Sequence, residues 1–147
     1  MKYLFPAIVP VFFSFLFSSI ALANSGPAPT HLAFKNGAIQ ADCLWTQGPQ
    51  TQDESVLEID WKDGRSLTAI DLPGSLSVTL VMPSMPEMQN PPTQINRIID
   101  PQGNPITGEF QVRNIYFTMG GDWLLNVTLK YRDGTEETQI VNVHLET

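Results

Sequence analysis

Trp123, Leu125, Val127, Leu129 and Tyr131 alternate with Leu124, Asn126, Thr128 and Lys130. Successive side chains of a β-strand point to opposite faces, so this run hides its large apolar residues together only if it is extended. The same period recurs at Leu57, Ile59 and Trp61, at Leu76, Val78, Leu80 and Met82, and at Val141, Val143 and Leu145. Turn sequences stand between such runs: Lys62-Asp63-Gly64, Asp100-Pro101-Gln102-Gly103-Asn104-Pro105 and Arg132-Asp133-Gly134. No window sustains a helical period. The pattern predicts strands over 38–45, 55–61, 75–82, 94–99, 107–117, 122–131 and 136–145. About seven short strands make an all-β chain, an immunoglobulin-like antiparallel β-sandwich.

The N-terminus has the form of a targeting segment. Lys2 supplies a positive charge, an apolar run extends from Leu4 to Leu22, and Ala21-Leu22-Ala23 fits a cleavage site. The division expected is a signal peptide over 1–23, a flexible Pro/Gly/Ser-rich leader over 24–34 and a single sandwich domain over 35–147. Export across an inner membrane into the periplasm follows. The alternative is an uncleaved anchor, since the run is long enough to span a bilayer. Pro6, Pro10, Ser14, Ser18 and Ser19 weaken that alternative. Beyond Ala23, seven basic residues face fifteen acidic ones, a net charge of −8. Such a surface argues against nucleic acid and anionic membrane as partners. Cys43 is the sole cysteine, which rules out an internal disulfide. Its expected place is the core, as a small buried hydrophobe.

One segment departs from ordinary loop chemistry: Met82-Pro83-Ser84-Met85-Pro86-Glu87-Met88. Its prolines exclude a helix interior or a central strand. Thioether sulfur is a soft ligand suited to Cu(I), and it has no proton to lose near neutral pH. A methionine-rich loop can equally be an apolar plug or an adaptable contact surface. Successive strands of an antiparallel sandwich alternate in direction, so alternate loops share an end. That parity gathers the Met loop, loop 46–54, the turn Thr118-Met119-Gly120-Gly121 and the end of the last strand near His144 at one pole. His31 belongs to the opposite end unless the leader folds back. The candidate metal ligands are therefore Met85 and Met88, followed by Met82, Met119 and His144. Met82 fits the inward register of its strand, and His144 the outward face.

Other chemistries find less support. The chain has no Gly-x-Ser-x-Gly, no His-Glu-x-x-His and only two histidines, so no enzyme is expected. Asp60-Trp61-Lys62-Asp63-Gly64 superficially matches a calcium loop but lacks the later acidic ligands, and reads as a strand end and turn. Asn126-Val127-Thr128 matches a glycosylation acceptor but falls within a strand.

From Val81 to Gly134 the chain resembles the YtkA-like domain family and the related FixH-type proteins. The resemblance is carried by Met82-Pro83-Ser84-Met85, by Gly108-Glu109-Phe110, by Phe117-Thr118-Met119-Gly120-Gly121-Asp122-Trp123 and by the run from Leu124 to Gly134. It implies a small exported immunoglobulin-like sandwich of bacterial copper handling and respiratory-oxidase assembly, and implies no established enzyme activity. The implied partners are a copper ion and an envelope or oxidase-assembly protein. Many relatives carry histidines in the Met-Pro loop, and this chain has none there. Thioethers in place of imidazoles favour Cu(I) over Cu(II) or Zn(II).

Overall fold

The computed structural model describes residues 28–146. The expected signal peptide lies outside the described residues. The chain forms β1 (Thr30–Phe34), β2 (Ile39–Gln47), β3 (Glu54–Asp63), β4 (Gly74–Val81), β5 (Gln94–Ile99), β6 (Pro105–Tyr116), β7 (Gly121–Tyr131) and β8 (Glu136–Leu145). A five-stranded sheet in the order β1-β2-β3-β6-β5 packs on a three-stranded sheet in the order β4-β7-β8. All pairings within the sheets are antiparallel. The chain is an all-β sandwich. Among the described residues no helix is long and apolar enough to cross a membrane.

Seven of the strands coincide closely with the periodic runs; β1 is the addition. Thr30–Phe34, expected to be the end of a flexible leader, is a strand paired antiparallel with β2 from Thr30↔Cys43 to Phe34↔Ile39. It carries the same signal as the others over a shorter span, with Leu32 and Phe34 buried and His31 and Ala33 outward. The Pro/Gly/Ser-rich stretch before it masked that signal. His31 accordingly lies beside Asp42 within the sheet, with Nδ1 2.5 Å from Oδ1, because the leader folds back as a hairpin. The extra strand precedes all the others, so the alternation of the later loops is unaffected.

The core is built from the inward positions of both sheets. Trp61, Trp123, Phe34, Phe117, Leu57, Ile59, Leu125 and Leu129 are all less than 2 % exposed. Phe117 stacks edge-on against Trp123 at 5.5 Å and against Trp45 at 6.0 Å. Leu76, expected in the core, is only half-buried. Val78 and Leu80 on the same strand are buried, but Leu76 borders a hollow that the facing sheet leaves uncovered. The sandwich is closed on the β1/β8 side, where the Lys35 amide donates to Glu137 at 2.9 Å. The opposite side, between β4 and β5, is more open, and Leu76 faces that opening.

Candidate functional site

The three-residue spacing of the methionines has a direct structural cause. The Met85 amide donates to the Met82 carbonyl at 2.9 Å, and the Met88 amide to the Met85 carbonyl at 3.0 Å. The segment is thus two β-turns in tandem, sharing Met85. Pro83 and Pro86 occupy the second position of each turn, where a fixed φ is already the one required. The methionines occupy the first and last positions, Met85 closing one turn and opening the next. Met82 is 7 % exposed and belongs to the core, while Met85 and Met88 are half-buried and pack against it. The prolines, Ser84 and Glu87 face solvent.

The other expected ligands divide. The Thr118 hydroxyl lies 3.5 Å from the Met88 sulfur, which joins the turn after β6 to the Met segment. Met119 is 40 % exposed, and its carbonyl accepts the Trp123 indole N–H at 3.0 Å. Gly121 has φ +123°, and a Cβ there would come within 2.9 Å of the Met82 methyl. The positive φ favours glycine at Gly121. Loop 48–53 joins the same pole: Gln52 donates to the Phe117 carbonyl at 3.0 Å, and Gln50 donates to the buried Ser55 hydroxyl at 3.1 Å. Met82, Met85, Met88 and Met119 are therefore assembled around one end of the sandwich.

His144 is not brought in with them. Val143 and Leu145 are buried, so His144 projects from the outer face of β8. Its Nδ1 lies 2.6 Å from Asp122, its cross-strand partner. That bond and the carboxylate charge raise the imidazole pKa above its ordinary value. The effect favours the protonated form, which is not a metal ligand. Among the described residues, no group of three or more His, Cys, Asp or Glu side chains is gathered for a metal ion.

Two residues that follow the Met turns had no distinctive sequence signal. Asn90 donates its side-chain amide to the Leu80 carbonyl at 3.1 Å, and Thr93 donates its hydroxyl to the Val78 carbonyl at 2.7 Å. The chain leaving the second turn is thereby tied along the outer edge of β4. Asn90 Oδ1 is buried and has no hydrogen-bond partner among the described residues. A polar residue after a Pro-rich turn is unremarkable in sequence; its role depends on which strand edge the loop meets.

The remaining candidates take structural places. Cys43 is 1 % exposed, and burial, followed by the charges of Asp42 and Asp60, pushes its thiol up to about 12. It is no thiolate ligand at neutral pH. The Asp60–Gly64 stretch is the end of β3 and a turn, where one Asp63 oxygen accepts the amides of Arg65 and Ser66. Asn126 lies in mid-β7, half-buried.

No protein-family model matches the chain, and neither a curated protein nor a solved structure matches it.

Proposed function

We propose that this chain is an exported, non-catalytic sandwich module that binds or delivers Cu(I) through thioethers at one pole, in the manner of the YtkA-like proteins it resembles. The observation that carries the reading is the pair of tandem proline turns. They hold Met82, Met85 and Met88 at the ends of successive turns, with the Thr118-Met119 turn against Met88. A rigid backbone that presents soft sulfurs at a half-exposed surface matches what Cu(I) requires. Met85 and Met88 are the principal ligands in this reading. Met119 is the exposed third, and Met82 is a core residue beneath them.

The test is titration of the purified chain with Cu(I) against a competing chelator. The wild-type chain should take up the ion, and Met85→Leu with Met88→Leu should weaken binding by about tenfold or more. The same variant should change folding stability by less than about 1.5 kcal/mol, since the swap conserves volume and apolarity. Absence of binding in the wild type, or unchanged binding in the variant, defeats the ligand assignment.

A second reading has its own support. Met85 and Met88 pack against the core, as an apolar contact surface would. The module would then dock on an envelope or oxidase-assembly protein through the Met pole. A contact surface would tolerate leucine at Met85 and Met88 and lose its partner with aspartate there. A copper site would lose function in both.

A further inference from the structure

Each sheet of the sandwich ends in an unpaired strand on its open side, β4 in one and β5 in the other. An edge strand presents a row of free amides and carbonyls. On β4 the outward-facing groups are identified by what reaches them. The Val78 and Leu80 carbonyls accept side-chain bonds from Thr93 and Asn90, so they point away from β7. Antiparallel pairing alternates residue by residue, so Gly74 and Leu76 present their backbone groups to the same side. No side chain among the described residues caps those two. The chain covers the lower half of its own edge and leaves the upper half open.

The open half borders a hollow. A cavity of about 460 Å³ is lined by Leu72, Leu76, Ile95 and Phe110 together with Asp71, Arg97 and Arg132. A second hollow of about 330 Å³ continues it along Ser77–Thr79 to Pro92 and Thr93. Together they make a groove that follows β4, with a half-apolar floor. Its charge is opposite to that of the molecule. Outside the expected signal peptide the chain has seven basic residues; Arg97 and Arg132 line the first hollow, and Lys130 joins Arg132 in a further hollow at the Gly74 end of β4. Arg97 pairs with Asp71 and lies over the Phe110 ring at 5.4 Å; Lys130 pairs with Glu136 at 3.1 Å. Arg132 is exposed and enters none of the ion pairs among the described residues.

We infer that the β4–β5 groove is a docking site for an extended, acidic segment of a partner protein, which adds as a strand to the open half of β4. Backbone groups of Gly74 and Leu76 supply the ladder, Leu76 and Ile95 take alternate apolar side chains, and Arg132 and Arg97 take the carboxylates between them. The unlike charges steer such a segment to an otherwise acidic molecule. The site is separate from the Met pole and does not depend on metal binding.

The probe is a labelled, end-capped heptapeptide alternating valine and glutamate, followed by fluorescence anisotropy on the intact chain. It should bind, and added salt should weaken it. The counterpart alternating valine and lysine should bind about tenfold more weakly or not at all. Arg132→Gln touches no folded-state ion pair and should lower affinity several-fold; Arg97→Gln added to it should lower affinity further. Amide exchange at Leu76 should slow when the glutamate peptide is bound. Methylating every second peptide nitrogen should abolish binding in one register and spare it in the other. Equal binding of the lysine peptide, indifference to both methylated registers, or pairing of two copies of this chain through β4 in place of peptide binding would each overturn the assignment.

Discussion

Trp123 ties the core to the Met pole. Its ring is 1 % exposed and packs against Phe117, while its indole N–H holds the Met119 carbonyl. Trp123→Ala should cost roughly 3–5 kcal/mol in urea unfolding, as large-to-small core changes do. It should also loosen the turn that carries Met119. Gly121→Ala is a subtler test: the methyl at the end of Met82 can swing aside, but φ +123° remains, so a loss of roughly 1–3 kcal/mol is expected. Much at this scale was legible in the sequence. The two-residue period assigned Leu57, Ile59, Trp61, Val78, Leu80, Trp123, Leu125, Val127 and Leu129 to the core, and all are buried. It misjudged Leu76, because alternation tells which face a residue takes, not whether a second sheet covers that face.

At the level of elements, the Met segment owes its order to turn chemistry. Replacing Pro83 and Pro86 with Ala enlarges the unfolded ensemble while keeping both backbone hydrogen bonds, so about 0.4–1 kcal/mol per site should be lost in thermal unfolding. If the segment binds Cu(I), the loss of affinity should track the lost preorganisation rather than any ligand, since all the sulfurs remain. The sequence placed this loop, the Met119 turn and loop 46–54 at one end by parity alone, and their contacts join them there. It did not disclose the tandem turns, although Pro three residues apart was the available sign. Nor did it find β1, whose five residues are too few for a period to stand out beside a leader rich in Pro and Gly. The ties from Asn90 and Thr93 to β4 were beyond it, because neither residue type announces which edge it will meet.

For the molecule as a whole, pH should limit stability from both sides. Arg113 and the Asn114 amide hold Glu54 below its ordinary pKa. For Asp63 the bonds from Ser66 and Arg65 act in the same direction. For Asp42 burial pushes upward, and the bonds from Lys62 and His31 outweigh it. Carboxylates lowered by folding contribute stability that is present above their unfolded pKa and is lost as pH falls through the folded one. Denaturant midpoints should therefore drop below about pH 4. Cys43 and Tyr131 have the opposite sign. Burial, aided for Tyr131 by the bond to Glu137, raises both to about 12 from 9.0 and 10.0. Their contribution is complete below pH 9.0 and declines as pH rises toward 12. Cys43→Ala should flatten part of that alkaline decline. A second whole-molecule property follows from the chain between Met88 and Thr93. One short, doubly proline-containing stretch both ends the methionine turns and fastens down the margin of β4. Pro91 and Pro92 have no amide to offer, so this latch can seal the margin without itself becoming a strand that recruits another. The latch and the sulfur-bearing turns are one length of backbone, and a force that lifts the turns is transmitted to the seal.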